Sequence, residues 1–351
     1  MQYTDYQFRL KSAGAILAKL VTGSLAYHDI WFGGRTRNPW NIEEYSAGSS
    51  AGPAASTSAG LIPFSIGSET VGSITYPVDR CGAIALRPTF GSVGRTGVLS
   101  LSESLDKLGP SVRNLCRLRY CSDAIRGKDP DDLSSRNIPF SDLFAVDITK
   151  LKVGYLEDAE VEVVEKLRSK GVNMVPFKLN YTVNSVQGIV NFTMDVDMLA
   201  HFDEWQRSGQ DDDYEAQDQW PLKLRRARVV PAVDYVQKRR APRLRLRLQE
   251  ALRLGTESKR ETNTRSERQF QSRSFVGNAI DKGARLRWQS CGHAVIVVPT
   301  GFKKISMPLQ MKLVGKLHHI AGFGIGDGLS SVLRPSQPSV RLLMTSTAVN
   351  L

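Results

Sequence analysis

The sequence predicts an α/β fold, and three observations carry that prediction. Residues 151–177 read strand–helix–strand. Residues 51–61 form an uncharged small-residue stretch of helical character between two glycine- and serine-rich loops. The apolar run Ala294-Val295-Ile296-Val297-Val298-Pro299 has the length and β-branching of a buried strand. A strand–helix–strand order implies parallel strands joined by a right-handed crossover. A chain of 351 residues has room for one large α/β domain or for two to three smaller units.

The elements follow in order. Residues 8–13 have helical character and end in a turn at Gly14, and residues 15–21 read as a short buried strand. The stretch 31–40 contains Gly33-Gly34 and Asn38-Pro39, turn dipeptides that predict a loop. Alanines and serines over 51–61 suit a helix packed close to its neighbours. Residues 61–66 suit a strand, 84–89 the end of another, and 91–97 a turn-rich loop. Residues 115–125 read as a helix, 151–156 as a strand, 160–170 as an amphipathic helix and 172–177 as the next strand. Beyond residue 221 the character changes. Arg225-Arg226, Lys238-Arg239-Arg240 and the Arg/Leu alternation over 243–248 predict a basic surface helix across 222–254. Residues 257–273 hold almost nothing apolar and predict disorder. From Gly322 the chain is rich in Gly, Ser and Pro, without a period.

With 41% hydrophobic and 23% charged residues, the composition is that of an ordinary globular protein. No apolar run approaches the roughly 18 residues that a membrane helix needs. Met1-Gln2-Tyr3-Thr4-Asp5-Tyr6 lacks the pattern of a signal peptide, so an intracellular protein is predicted, cytoplasmic first and in an organelle as the alternative. The net charge of +12 is unevenly spread, with 19 Lys/Arg against 6 Asp/Glu over 221–290 and near-neutrality elsewhere. Such a segment suits RNA or an anionic surface through counterion release. Without an RNA-binding aromatic motif it reads first as a solvated face. Cys81, Cys116, Cys121 and Cys291 are too few and too scattered for a disulfide framework, and no His or Cys cluster completes a metal site. No metal and no cofactor are predicted. His28, His201, His293, His318 and His319 read as surface or core histidines.

The most informative segments are Ala47-Gly48-Ser49-Ser50-Ala51-Gly52 and Gly67-Ser68-Glu69-Thr70-Val71-Gly72-Ser73-Ile74. Glycines let a backbone approach a ligand closely. Amide N–H groups in such loops can converge on an oxyanion or a phosphate. The alternative is two ordinary Gly/Ser turns around a helix.

These segments, followed by Pro77, Cys81-Gly82, Leu86-Arg87-Pro88-Thr89-Phe90-Gly91, Gly94-Arg95-Thr96-Gly97 and Ser104-Leu105-Asp106-Lys107-Leu108-Gly109-Pro110, resemble the core of the amidase signature family in order and spacing. The likeness covers residues 5–250 and returns over 292–317. The fold it implies is a mixed, twisted β-sheet core covered by helices, incomplete at both ends. The organisation it implies is a partial core at 1–250, a basic disordered insert at 251–290, a C-terminal strand region at 291–320 and an irregular tail at 321–351.

The chemistry implied by the resemblance is hydrolysis of carbon–nitrogen bonds in linear amides by a Ser–cis-Ser–Lys triad. Ser73 matches the nucleophile. Ser49, 24 residues upstream, matches the bridging serine after a cis Gly48–Ser49 bond, with Gly48 and Ser50 in support. The backbone N–H groups of Thr70, Val71, Gly72 and Ser73 match the oxyanion hole. A serine hydroxyl is a poor nucleophile without a base in reach. In this family the base is a neutral lysine acting through the bridging serine, on a strand preceding the region that matches residues 5–19. Lys19 falls where the family has a structural lysine, and Lys11 falls on the preceding helix. The resemblance therefore implies an N-terminally truncated amidase, impaired or inactive as this chain. Further departures are Glu69, Val71 and Thr75, where many members have Asp, Gly and Arg, and the lack of a family-like terminal helix past residue 317. The partner implied is a small amide substrate. One alternative is the glutamine-hydrolysing A subunit of a tRNA-dependent amidotransferase, which works with partner subunits. Another is a non-catalytic amidase-like protein whose 221–290 segment binds RNA or other anions. Asp106 is expected to organise a loop, and Trp31 and Trp40 to pack rather than to line a pocket.

Overall fold

The computed structural model of the chain describes residues 4–15, 17–26, 28–138, 147–150, 152–155, 161–176, 183–214, 217, 219–239, 273–278, 294–304 and 336–346. Helix α1 (Asp5–Ser12) starts with a capping box. The Thr4 hydroxyl accepts from the Gln7 amide, and the Gln7 side chain accepts from the Thr4 amide. It stops before Gly14, whose φ of +82° suits glycine best.

Among the described residues, the segment expected to form a strand at 15–21 enters no sheet. Its end meets the first serine loop instead: Val21 O accepts from the Gly52 amide, and the neighbouring Gly23 amide donates to Ser49 O. Apolar content alone does not separate a strand from an extended segment lying on a helix. The expected loop at 31–40 is two small antiparallel ribbons, β1 (Ile30–Trp31) with β2 (Gly34–Arg35) and β3 (Arg37–Asn38) with β4 (Asn41–Tyr45). Trp40 packs as expected, its indole N–H reaching Ser58 Oγ at 2.9 Å and Cys81 O at 2.8 Å.

Helix α2 (Ala51–Ser58) is buried along most of its length, which its Ala, Gly and Pro residues permit because they hold neighbouring backbones at short range. Then come β5 (Phe64–Glu69), α3 (Thr75–Cys81), β6 (Ile84–Arg87), β7 (Lys107–Val112) and α4 (Leu115–Ile125). The Asn114 side chain caps α4 by accepting from the Cys116 amide. Next, β8 (Lys152–Tyr155), α5 (Val161–Ser169) and β9 (Asn173–Pro176) form the expected unit, with β8 and β9 parallel. Helix α6 (Val183–Arg207) bends at Phe202. The single basic helix expected over 222–254 is two helices within the described residues, α7 (Trp220–Ala227) and α8 (Ala232–Arg239). Pro231 separates them, because it lacks an N–H and its ring clashes with a continuing helix. Residues 240–254 of that expectation lie outside the described residues.

Strands β10 (Arg273–Asn278), β11 (Val295–Lys304) and β12 (Ser336–Ser346) complete an eight-stranded mixed sheet of order β5-β7-β6-β11-β12-β10-β8-β9. The pairs β10–β8 and β8–β9 are parallel and the remaining pairs antiparallel. Two of these strands differ from expectation. β10 falls within the stretch read as a disordered insert, and β12 within the stretch read as an irregular tail. Both find their ladders far away in sequence, which local composition does not reveal. Residues 257–272 of the expected disorder lie outside the described residues.

The core sits between the sheet and its helices. Ile84, Leu86, Val112 and Ile296 of the sheet pack on Leu118 and Cys121 of α4, while Leu10, Val93, Leu108 and Ile125 tie α1 to the same region. Val153, Val164, Val172 and Met174 close the β8–α5–β9 unit, and Met198, Trp220 and Leu224 join α6 to α7. Full burial of each large aliphatic side chain contributes about 1.5–3 kcal/mol. No helix of the described residues is long and apolar enough to cross a membrane.

Candidate active site

The two serine loops meet at a backbone hydrogen bond. The Ser50 amide, at the start of α2, donates to Ser73 O at 3.0 Å, just before α3. The Ser50 hydroxyl adds two more links across the gap. It donates to Ser68 O at 3.1 Å and accepts from the Ser68 amide at 3.2 Å. Ser49, Ser50 and Ser73 are all buried, at 4, 2 and 9% exposure. The Gly48–Ser49 peptide bond is cis. Glycine at 48 is dictated by space, since a Cβ there would lie 1.5 Å from the His28 carbonyl oxygen. Gly72, between Val71 and Ser73, has φ of +91°, a conformation costly for any residue with a Cβ. Val71, which departs from the family's usual glycine, has no such φ, so its β-branch is accommodated.

The turn from Glu69 to Ile74 is clamped from below by Glu69. Its carboxylate is fully buried. Oε2 accepts from the amides of Ile74 (2.9 Å) and Thr75 (2.8 Å) and from the Thr75 hydroxyl (3.0 Å). These are donors that the start of α3 would otherwise leave open. Oε1 pairs with Arg87 Nη1 at 3.2 Å. Burial pushes the Glu69 carboxyl up. The Arg87 guanidinium, the Thr75 amide, Lys107 and the Ile74 amide outweigh burial and hold it below the ordinary carboxylate range. Among the described residues the amides of Val71, Gly72 and Ser73 donate to no acceptor.

A second carboxylate holds the turn from the side. Asp106 Oδ1 accepts from the Thr70 hydroxyl at 2.5 Å. Its Oδ2 accepts from Ser100 Oγ (2.8 Å), the Leu101 amide (2.7 Å) and the Ser102 amide (3.0 Å). Asp106 thus does organise a loop, and through Thr70 it reaches the turn from Glu69 to Ile74 as well. That second contact, like the Glu69–Arg87 pair, had no signal in the spacing. The four residues of the two clamps are brought together by β5, β6 and β7 pairing at distant points of the chain.

Lys107 lies opposite Glu69 in the β5–β7 ladder and donates its ammonium to Leu105 O. Burial lowers its pKa to about 7, with the Arg87 charge adding to the effect and Glu69 and Asp106 opposing it. The sign for stability follows. Between pH 7 and its ordinary value of 10.5 the unfolded chain binds a proton that the folded chain does not, so stability rises with pH across that window. Below the window both states are protonated, and the dependence disappears. Urea unfolding of the wild type and Lys107→Met at pH 7.5, 8.5 and 9.5 is expected to show the wild type gaining on the variant by up to about 1.4 kcal/mol per pH unit. Parallel curves would show that Lys107 keeps its ordinary pKa.

Lys11 and Lys19, the two lysines weighed from the sequence as a base, are exposed. Lys107 is the only buried lysine among the residues whose burial is described. His201 pairs with Glu103 at 3.4 Å, and the His28 backbone lies against Gly48. His293, His318 and His319 lie outside the described residues. Among the described residues no cluster of His, Cys, Asp and Glu suits a metal ion. Cys81, Cys116 and Cys121 are free thiols, and burial pushes the Cys81 thiol far up.

Residues 9–279 match the family model described as amidase. The chain is similar to the A subunit of glutamyl-tRNA(Gln) amidotransferase from Sulfurihydrogenibium sp. (strain YO3AOP1), with 34% identity over 200 residues, covering 51% of this chain and 41% of the relative. It is also similar to the protein of that name from Halalkalibacterium halodurans, with 43% identity over 122 residues, covering 34% of this chain and 25% of the relative. The chain therefore spans less than half the length of these curated relatives. Among solved structures, it superposes on the peptide amidase PAM in complex with chymostatin with a TM-score of 0.70 at 20% identity, covering 98% of this chain and 73% of the other. The A subunit of glutamyl-tRNA(Gln) amidotransferase from Thermotoga maritima gives 0.65 at 18% identity, with 97% of this chain and 72% of the other covered. These structural likenesses bear on the fold alone.

Proposed function

The chain belongs to the amidase family, and from that premise we propose that it carries the nucleophile and oxyanion machinery of a serine hydrolase acting on amide carbon–nitrogen bonds. The observation that supports this reading best is the junction of the two serine loops, with Ser50 N on Ser73 O, Ser49, Ser50 and Ser73 buried, and open amides over Val71, Gly72 and Ser73. In this reading Ser73 attacks the amide carbonyl. Ser49 relays its proton towards the base, and Gly48 and Ser50 hold the relay in place. The amides of Thr70, Val71, Gly72 and Ser73 receive the oxyanion as negative charge develops on the carbonyl oxygen, an effect worth about 2.7–4 kcal/mol per donor where one has been removed from a hydrolase. The tetrahedral intermediate expels the amine after protonation, leaving an acyl-Ser73 that water then hydrolyses.

The base of the family pattern is a lysine, and none of the described lysines fills that role. Lys11 and Lys19 are exposed, and Lys107 is engaged by Leu105 O. The 351-residue chain is therefore expected to react slowly with a fluorophosphonate, and a version carrying the family's lysine strand upstream to react about 10⁴-fold faster or more, the scale on which a missing triad member acts. Equal rates for the two would remove the triad reading. Rapid labelling of the chain itself at Ser73 would show that its base lies elsewhere.

A second reading, glutamine hydrolysis within a tRNA-dependent amidotransferase, is favoured by the names of the relatives and would bring partner subunits. Glutaminase assays with and without such subunits separate it from a general amidase. The nucleic-acid reading finds less support in α7 and its surroundings, because Arg225 pairs with Asp211 and Asp212 and Arg228 with Asp203. The free thiols suit a reducing compartment.

A further inference from the structure

We propose that Asp197, on α6, is a positioning residue for the oxyanion turn, acting through the 100–106 loop and Asp106. The proposal rests on the hydrolase reading above and names a residue that this reading does not use.

The path is a continuous series of hydrogen bonds. The Tyr235 hydroxyl, on α8, donates to Asp197 Oδ1. Asp197 Oδ2 accepts from the Ser102 hydroxyl and, at 3.2 Å, from the Ser104 hydroxyl. The Ser102 amide then donates to Asp106 Oδ2 at 3.0 Å, and Asp106 Oδ1 accepts from Thr70 Oγ1 at 2.5 Å. Thr70, Ser102, Asp106 and Asp197 are each less than 9% exposed, so water competes little at any joint. Asp106 receives four donors, which fills the accepting capacity of a carboxylate. Charge-assisted bonds in a dry setting are the strong ones.

The mechanical consequence falls on Thr70. A β-branched side chain has few χ1 choices, and a hydroxyl anchored on Asp106 leaves one. Fixing that rotamer fixes the backbone from which the oxyanion amides project. The oxyanion is absent from the bound ground state and develops on the way to the tetrahedral intermediate, so loosening the turn lowers the rate of acylation and leaves ground-state binding unchanged. Asp197 therefore passes the seating of α6 and α8 to the reaction centre without touching substrate.

Hydrogen–deuterium exchange on the 351-residue chain tests the path independently of catalysis. Asp197→Ala and Thr70→Val are expected to speed exchange of a peptide covering residues 69–75 at least tenfold. A peptide covering 161–169, in the separate β8–α5–β9 packing, is expected to stay unchanged. Thr70→Ser, which keeps the hydroxyl, is expected to return exchange to within threefold of the wild type, a rescue that a purely space-filling role would not give. Tyr235→Phe makes a smaller cut at the far end, about threefold, and serves if Asp197→Ala fails to fold. Unchanged exchange at 69–75 in Asp197→Ala, or in Tyr235→Phe should that be the variant that folds, overturns the proposal. In fluorophosphonate labelling of the same chain, Asp197→Ala is expected to lower the limiting rate at saturating probe about tenfold, with the half-saturating concentration within twofold. Failure of Ser73 to label in any version would sink the hydrolase reading, while the exchange result would still decide whether Asp197 holds the turn.

Discussion

Ser73→Ala is expected to abolish fluorophosphonate labelling and, in a version supplied with the lysine strand, to lower amide hydrolysis by about 10⁴–10⁶-fold in kcat. The size follows from the role. Covalent catalysis loses its only attacking atom, and what remains is the oxyanion site acting on water. The fold has little reason to suffer. The links that Ser73 makes to the first loop run through its backbone oxygen to the Ser50 amide, and Glu69 holds the turn through Ile74 and Thr75. Urea unfolding of the variant should agree with the wild type to within about 0.5 kcal/mol. Intact-mass detection of the adduct and a steady-state assay give the two readouts. Persistent labelling in Ser73→Ala would place the nucleophile at another residue and end this assignment.

The largest stability effect is expected at Arg87. Arg87 and Glu69 are 1 and 0% exposed at the side chain, and they pair at 3.2 Å next to the turn from Glu69 to Ile74. Arg87→Met removes the chief opposite charge and leaves the Glu69 carboxylate buried, at a cost of about 3–5 kcal/mol. That is a large share of the roughly 5–15 kcal/mol that holds a typical domain together. The pH dependence carries a sign. Glu69 has a lowered pKa when folded, so its stabilising contribution is present above the ordinary carboxylate range and is lost as pH falls through the folded value. Without Arg87 that loss moves to higher pH. Adding Glu69→Gln to Arg87→Met should recover most of the loss, because a neutral amide oxygen still accepts from the amides of Ile74 and Thr75. Denaturant unfolding of the four members of this cycle measures the coupling. A cost under about 1 kcal/mol for Arg87→Met would show that Lys107 and the amides suffice to hold the carboxylate.

Legibility in the sequence followed the range of the interactions. Helix α4, the β8–α5–β9 unit and the small-residue helix α2 were predicted to within a few residues, since period and composition over short windows decide them. Three elements carried no readable sign. Helix α3 is short, β7 contains Pro110 at its centre, and α6 has apolar and acidic residues mixed around it, so no face stands out. The run at 15–21 misled because its described residues find partners outside any ladder: Ala15 and Leu17 pack on the core of Leu10, Val93, Leu108 and Ile125, and Val21 O accepts from the Gly52 amide. The candidate serines were named from motif and spacing, whereas the groups that pack around them were not. Glu69 appeared only as a departure from the family, and Arg87 and Lys107 only as members of a strand end and a motif.

The order of Gly48-Ser49-Ser50 and Gly72-Ser73, with the motif train behind them, determined by itself the family and the α/β class, and named the candidate serines. Those features are local, written in consecutive residues whose backbone demands are met by glycine and small side chains. Only the tertiary structure decided what holds them. Glu69 meets Arg87, Thr70 meets Asp106, and Ser102 meets Asp197 across separations of 18, 36 and 95 residues. Each is a charged or hydrogen-bonded pair whose partner is chosen by sheet register and helix seating. Register and seating come from burial summed over the whole core, which no short window of sequence contains.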